Sequence, residues 1–538
     1  MEAAEFKDRT KMPNKKSPPK RPRPKLQSAA ADPTAKLGAL PELVVDNADL
    51  PATAADLSQR LATSDTLFQR GASLIKLVKK GDVCSILPFN ARDVVNYTHA
   101  VCQPVEKKIV GGELVSKPVT LPATVAHLYL NRHDAWAVQE LDGICRAPIL
   151  ADDGSIRLAQ GFDPATRFWC VGVDTPPIPE RPSEKQAKQA LARLRSAFLT
   201  FPFADAVTTM KSRSGKSIDS GQPPGLDESA FLIGLLTAVC RPSLALAPGF
   251  IIRAPQFSGA GTGKGQLVRA IARVAYDIAP NPFTSSGDRS ELDKRLTAAL
   301  VEAQPLIFID NVNAEVLRSN LLAQIVTENP CSIRPFRENT KLVHIPTNAF
   351  LAITGNALRV SEDLARRFLI VDLDAGCEDP ELRSFAHEFG ATIQNQRREL
   401  LGAALTIWRW GRRNDIKRGL PLGSFEQWSR WCRDPLIALG CTDPVRRIGD
   451  IKRDDPRRAQ LVEFFALWHD LYGDRAVKIK NLDIRLRMLA DPQGSGSRQS
   501  LASFVANLAG TRAAGYVMIR NIPTGVWGTS TYAVKKTE

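Results

Sequence analysis

Ser258-Gly-Ala-Gly-Thr-Gly-Lys-Gly265 decides how the middle of this chain is read. Before it stands Phe250-Ile-Ile-Arg-Ala254, an apolar run of strand-forming residues. After it, Gln266 to Ile278 sets Leu267, Ile271 and Val274 on one helical stripe. Strand, glycine-rich bend and helix, in this order, are the context that a phosphate cradle requires. Glycines let backbone amides turn inward, and the helix N-terminus adds the positive end of its dipole. Lys264 supplies a mobile charge for the β- and γ-phosphates. The expected nucleotide-binding residues are Gly259, Ala260, Gly261, Thr262, Gly263, Lys264, Gly265 and Gln266. Two departures stand out. Ser258 holds the place of the usual first glycine, and Gly265 holds the place of the Ser or Thr whose hydroxyl ordinarily ligates Mg2+. A glycine-rich loop by itself is more often a turn, so the rest of the chain has to decide.

Downstream, Leu306-Ile-Phe-Ile309 runs into Asp310-Asn311. A buried parallel strand that delivers a carboxylate at its C-terminal end does so where such sheets bind ligands. Asp310 is the expected Mg2+ residue, directly or through water. Asn311 stands where a second acid often sits, which leaves the base for the attacking water open. The bland alternative is a core strand ending in a turn. Next, Ala349-Phe-Leu-Ala-Ile-Thr-Gly-Asn356 is a second apolar strand, and Asn356 is placed to meet the γ-phosphate or the attacking water. Gly-Asn is otherwise a turn signal. The intervals from Lys264 to Asp310 and from Asp310 to Asn356 are both 46 residues, which suits one crossover plus an insertion each. Finally, Arg366 and Arg367 precede the strand Leu369-Ile-Val-Asp-Leu373. Paired arginines there suit a finger toward a neighbour's phosphate, with a slight preference for Arg367, or else an ordinary surface pair.

Taken in order, the phosphate loop, Leu306–Asn311, Ile353–Asn356 and Arg366–Arg367 resemble the superfamily 3 helicases, in particular the helicase half of phage and plasmid primase-helicases. The resemblance covers roughly Ala230 to Trp410. The upstream stretches Leu141–Leu150 and Gly161–Thr166 are similar to the region before such motors. The resemblance implies an α/β, AAA+-like P-loop domain with a central parallel sheet. It implies a homo-oligomeric ring, a hexamer, with ATP and Mg2+ between subunits and single-stranded DNA in the pore. It further implies that a hairpin before the Asn-bearing strand carries pore contacts. Here that segment is Cys331 to Ile345, with Arg337 and Lys341 as candidate phosphate contacts and Phe336 as a base contact. Routine solvated charges are the alternative. No primase core is visible, neither paired acids on strands nor a zinc stem, so a separate primase partner stays open.

Composition points the same way without deciding it. Lys and Arg number 72 against 57 Asp and Glu, a formal net charge of +15, which favours a polyanionic partner or simply a basic surface. The nine cysteines are scattered with no CxxC, and the six histidines are dispersed, so spacing assembles no zinc module and suits a reducing interior. The start of the chain offers no apolar signal core. Ala230 to Cys240, the longest apolar run, falls short of the roughly 20 residues that cross a bilayer. The expectation is a cytoplasmic protein of prokaryotic or phage- or plasmid-encoded origin, with no membrane partner.

Residues 1–37 read as a disordered basic arm, a phosphate tether or a solvated tail. Residues 38–181 read as an N-terminal α/β domain closed by the proline-dense linker Pro176–Pro182. Residues 182–245 read as a helical collar, with helices over Ser183–Thr200 and Glu228–Cys240 and a polar loop over Met210–Pro224. The ATPase domain is expected over 246–445. In 446–538, helices at Gln460–Tyr472 and Ser500–Ala509 precede strands at Gly515–Ile519 and Thr531–Val534 around the loop Pro523–Gly528. That order suggests a winged helix, and Arg498, Arg512, Arg520, Lys535 and Lys536 suit duplex DNA, although such folds also dock proteins. Three functions are in play: a translocating helicase, a nucleotide-switched DNA-binding initiator that hydrolyses poorly, and a small-molecule P-loop kinase. Basic charge, paired arginines and the appended module argue against the third.

Overall fold

The computed structural model describes residues 40–537, apart from 82, 134, 212–214, 285–288, 314–315, 318, 335–341, 384–387, 454–455, 492–497 and 523–528. Its centre is a five-stranded sheet made of β1 (Gly249–Ala254), β2 (Phe283–Thr284), β3 (Leu306–Asp310), β4 (Phe350–Asn356) and β5 (Phe368–Asp372). The strands run in the order β2-β3-β4-β1-β5, and every neighbouring pair is parallel. Their near-continuous apolar sequences follow from burial on both faces. Alternation then sorts the side chains. Phe250, Ile252, Phe308, Phe350, Ala352, Leu369 and Val371 join one core, while Ile251, Ile307, Ile309, Leu351, Ile353 and Ile370 join the other.

The first core is covered by α1 (Glu184–Ser196), α2 (Leu226–Cys240), α3 (Lys264–Tyr276) and α7 (Phe389–Arg413), and the second by α4 (Arg289–Val301), α5 (Asn320–Thr327) and α6 (Glu362–Ala365). The expected α/β domain with a parallel sheet is therefore present. The two collar helices form as expected. α1 starts on a capping box between Ser183 and Gln186. α2 is buried from Asp227 to Cys240 and shares the core of the sheet. The stretch expected as a polar loop contains an antiparallel pair, Thr208–Lys211 with Gly215–Ile218. Polar composition was the wrong test there, because a ladder closes through backbone hydrogen bonds whatever the side chains. The proline-dense linker lies on α7: Arg409 donates to the carbonyls of Ile178 at 3.0 Å and Pro179 at 3.2 Å.

Before this core, strands and three helices (Leu50–Leu61, Ala91–Val101, Ala123–Leu130) form a mixed α/β unit with its own core. After it come α8 (Pro456–Tyr472), α9 (Ile484–Ala490), α10 (Arg498–Asn507) and an antiparallel sheet of β6 (Arg512–Ala513), β7 (Tyr516–Asn521) and β8 (Thr531–Lys536). Phe464, Phe465, Trp468, Leu486, Val505, Met518 and Val534 close that module's core. The sequence reading missed α9, a short helix that shows Ile484 and Met488 to solvent. The expected loop Pro523–Gly528 lies outside the described residues.

One glycine holds the sheet's upper edge together. A β-carbon on Gly355 of β4 would overlap the carbonyl oxygen of Val312, just past β3. Gly355→Ala should cost about 2 kcal/mol as an overpacked site. The expected result is a thermal midpoint lowered by several degrees in scanning calorimetry; an unchanged midpoint would show that the edge has slack.

Candidate nucleotide site

Because the strands are parallel, the carboxyl ends of β1, β3, β4 and β5 meet at one edge, the place where open α/β sheets bind ligands. The glycine-rich loop leaves β1 there. Ala357, just past β4, donates its N–H to the Ala254 carbonyl at 2.9 Å and ties the two strand ends together. Within the loop Gly261 (φ +69°) and Gly263 (φ +95°) adopt left-handed backbone. A β-carbon on Gly263 would stand 2.8 Å from the Phe201 ring. Gly263 is also the N-cap of α3 and offers no side-chain cap, so the amides of the first turn are left for an anion.

Lys264 is the first residue of α3. Its Nζ folds over the loop, donating to the Gly259 carbonyl at 2.5 Å and to Thr262 Oγ1 at 3.3 Å. Thr262 is buried and donates to the same carbonyl at 2.9 Å. Burial depresses the pKa of Lys264, and the nearby Asp310 charge opposes that shift.

Asp310 ends β3 beside this lysine. Thr354, fully buried in β4, donates its hydroxyl to Asp310 Oδ1, and the Asn311 N–H reaches the same hydroxyl oxygen at 3.4 Å. Asn311 takes a left-handed conformation (φ +68°), which an asparagine tolerates. Its side-chain oxygen accepts from Asn313 at 3.1 Å, and Asn313 Oδ1 accepts from the Asn356 N–H at 2.8 Å. Asn356 Oδ1 is buried and unpartnered among the described residues. A β-carbon on Gly259 would lie 2.5 Å from it, so the amide stands at the mouth of the loop.

The structure thus gathers Lys264, Asp310, Asn356 and the loop at one edge. Asn311 belongs to the same cluster, but its side chain is engaged with Asn313. Arg366 and Arg367 precede β5 and lie at the opposite edge, about 16 Å away for a strand of this length. Arg367 is mostly buried, donating to Asp363 at 3.0 Å and Thr327 at 3.5 Å, whereas Arg366 is exposed. That geometry moves the preference for a reaching residue from Arg367 to Arg366. Arg337 and Lys341, like Phe336, lie outside the described residues. The strands flanking them, Cys331–Ile333 and Val343–Ile345, pair antiparallel as a hairpin requires.

Mg2+ fits the residues present in a limited way. A β-carbon on Gly265 would stand 4.0 Å from Asp310 Oδ2, so that carboxylate oxygen faces the loop. Mg2+ commonly takes one or two carboxylates and completes its shell with water and phosphate oxygens, so one oxygen suffices. Residue 265 contributes none.

Sequence reasoning missed Thr354 and Asn313. The signal for Thr354 was a polar residue inside an apolar strand, two positions before Asn356 and hence on its face. It also missed a cavity of about 450 Å³ lined by Phe201, Phe203, Ile218, Cys377 and Arg383, alongside the Gly263 contact.

At the same edge, Arg253 donates to Asp372 at 2.5 Å, and Arg447 bridges Asp372 at 3.1 Å and the buried Asp227. Asp227 also accepts the Asp372 N–H at 2.7 Å, which anchors α2 to the end of β5. Burial pushes Asp227 up to about 6, although Arg447 pulls the other way.

No family model matches the sequence, and no curated protein does. Solved structures give distant likenesses. The chain is similar to the A-form apo C-terminal region of NrS-1 (residues 305–718), with 12% identity over 89% of this chain and 99% of that one and a TM-score of 0.38. It is similar to the active helicase Cch of SCCmec type IV, with 9% identity over 86% and 91% of the two chains and a TM-score of 0.31. It is also similar to the JCV helicase with a bound acetamide compound, with 12% identity over 52% and 68% and a TM-score of 0.18. Each is too distant to carry chemistry from one chain to the other.

Two outcomes follow from the geometry. Thr354→Val keeps the shape but frees Asp310, and should weaken the magnesium-dependent part of nucleotide affinity by about tenfold or more. Titrating a fluorescent nucleotide at several magnesium levels measures this, and an unchanged magnesium dependence would remove Thr354 from the site. Asp227 sets the second. Between its ordinary value near 4 and about 6, the folded chain keeps a proton that the unfolded chain has released. This group's contribution to stability therefore falls as pH rises through that window. Asp227→Asn should remove the fall, so the variant gains on the wild type between pH 4 and 6 in thermal melts; parallel pH profiles would contradict it.

Proposed function

We propose that this chain is a nucleic-acid-dependent ATPase, a ring-forming helicase of the replicative type with an AAA+-like core. One observation carries the reading: Lys264, Asp310 and Asn356 converge on a glycine-rich loop while an exposed arginine, Arg366, stands at the far edge of the same sheet. Half of a nucleotide site on one edge and an exposed cation on the other is what a head-to-tail ring needs, because each subunit then completes its neighbour.

In this reading ATP lies with its phosphates on the amides of the α3 N-terminus. Lys264 leaves the Gly259 carbonyl for the β- and γ-phosphate oxygens. Bound Mg2+ supplies charge neutralisation on those oxygens. Asp310 Oδ2 is the oxygen of this chain that would hold it, with Thr354 fixing the other carboxylate oxygen. Asn356 Oδ1, the unpartnered acceptor, takes a hydrogen bond from the attacking water and orients it on the γ-phosphorus. The water oxygen forms the new bond to the γ-phosphorus, and its proton passes to a phosphate oxygen and on to solvent. The bond from the γ-phosphorus to the bridging oxygen breaks so that ADP leaves with that oxygen, and Arg366 of the adjacent copy meets the charge that develops. The cavity beside Phe201 seats the purine. Single-stranded DNA is proposed to lie against the antiparallel pair Cys331–Ile333 and Val343–Ile345, between which Arg337 and Lys341 fall in the sequence, and duplex DNA against the C-terminal module, whose sheet carries Arg512, Arg520, Lys535 and Lys536.

A second reading, an initiator that switches with nucleotide but does not separate strands, draws on one observation. Asn311, not an acid, follows Asp310, and its amide is bound to Asn313. Strand displacement on a forked duplex separates the two readings.

ATP turnover should rise with added single-stranded DNA and vanish in Lys264→Ala. Arg366→Ala should bind ATP like the wild type yet lose about a hundredfold or more of turnover. Mixing it with Lys264→Ala subunits should restore part of that turnover, through sites that pair one intact edge with the other. Turnover indifferent to nucleic acid would end the motor reading, and failure of the mixture to recover activity would end the shared site.

A further inference from the structure

Gly265 is the residue of the loop that the proposed function leaves unexplained. Its lack of a side chain has a consequence elsewhere on α3. One helical turn on, Arg269 projects over the same face, as residues four apart do. Its Nη1 lies 2.6 Å from where a β-carbon on Gly265 would be, nearer than any other atom outside the adjoining residues and the backbone of the helix itself. The next group around that point includes Asp310 Oδ2 at 4.0 Å. Arg269 is held in this direction from below: its guanidinium carbon sits 5.7 Å over the ring of Phe308. Phe308 and Asp310 are two apart on β3, so both face α3. A guanidinium therefore fills the space in which a Ser or Thr hydroxyl would otherwise point toward a metal. Any side chain at 265 displaces it.

We infer that Arg269 is a phosphate-binding residue of the same subunit, and that Gly265 exists to let its guanidinium reach the triphosphate beside Lys264. This rests on the nucleotide reading given above and adds a specific trade to it. The chain gives up one protein oxygen on the metal and gains a fixed cation with forked donors, the group best matched to phosphate oxygens. Nucleotide affinity then depends less on metal than in a loop that ends in Lys-Ser or Lys-Thr. Arg269 is exposed at the surface of α3, so replacing it leaves the core of the sheet untouched.

The test is equilibrium binding of fluorescently labelled ATP to the full chain, with magnesium and with excess EDTA. Arg269→Ala should weaken binding in EDTA by about tenfold or more, the usual effect of losing a hydrogen bond to a charged group. With magnesium the loss should be smaller. Gly265→Ser should do the opposite of the wild type: it displaces Arg269 and adds a metal ligand, so binding holds with magnesium and collapses in EDTA. Adding Arg269→Ala to Gly265→Ser should then cost little more. If Arg269→Ala binds as the wild type does in EDTA, or if Gly265→Ser keeps the wild-type metal response, the inference is overturned while the site stands. Lys264→Ala is the separate control: if it binds ATP as the wild type does with magnesium, the nucleotide reading itself falls.

Discussion

A parallel sheet has two unlike edges, and its ladder decides which residues share one. Here Ile309 is opposite Ile353, and Ala254 is opposite Asn356. That register brings Asp310, Thr354, Asn356 and the start of the glycine-rich loop to the same level. A one-residue slip would turn every one of these side chains to the other face. The register is held because alternate residues of β1, β3 and β4 feed two different cores. Burial of branched and aromatic side chains on both faces is therefore what positions polar groups that make few bonds of their own.

Close approach is the second constraint. Three glycines at this edge stand where a neighbour leaves no room: Gly259 against Asn356, Gly263 against Phe201, and Gly355 against the Val312 carbonyl. Two of them lie in the loop and one lies in the strand that faces it. The loop is thus fitted to its surroundings as well as bent. Phe201 lies between α1 and the hairpin at Thr208–Ile218, so the segment ahead of the sheet is packed on the phosphate loop itself. This explains why α2 and the proline-dense stretch belong with the core and not with a separate layer.

Much of this was legible in the residues. Strands buried on both faces announce themselves as short apolar runs, and β1, β3 and β4 were all readable that way, with Asp310 and Asn356 at the ends of β3 and β4 and Lys264 closing the loop after β1. What was not legible depends on contacts between distant segments. Thr354 looks like one polar residue in an apolar strand until β3 is laid beside it. Asn313 looks like loop until its side chain is seen joining Asn311 to Asn356. Arg269 looks like an ordinary solvent-facing residue of an amphipathic helix, because its partner is the empty space over Gly265. The pair Arg366–Arg367 could be placed by sequence, but the slight preference for Arg367 was the wrong way round. Ranking needed the observation that Arg367 turns inward to Asp363 and Thr327. α9 escaped because a helix of its length shows too few turns for a stripe to stand out.

The position of the cations divides the proposed reaction into two duties. Lys264 and Arg269 belong to α3 and face their own loop, so they act whether or not another copy is present. Arg366 is at the opposite edge of the sheet, and a side chain of its length cannot cross roughly 16 Å of strand to its own phosphates. In the proposed ring its route to a phosphate is through a neighbour. In the proposed reaction, affinity for nucleotide would then belong to the single chain and turnover to the assembly. A chain built this way can load ATP before it closes a ring and still not spend it. In the proposed reaction, hydrolysis would begin when the edge of one sheet meets the edge of the next. On that reasoning the missing hydroxyl at Gly265 is no defect in the site. With Arg269 in the role proposed for it, the glycine would move binding away from the metal and onto groups of the same chain, and leave the acceleration of the chemical step to the contact between copies.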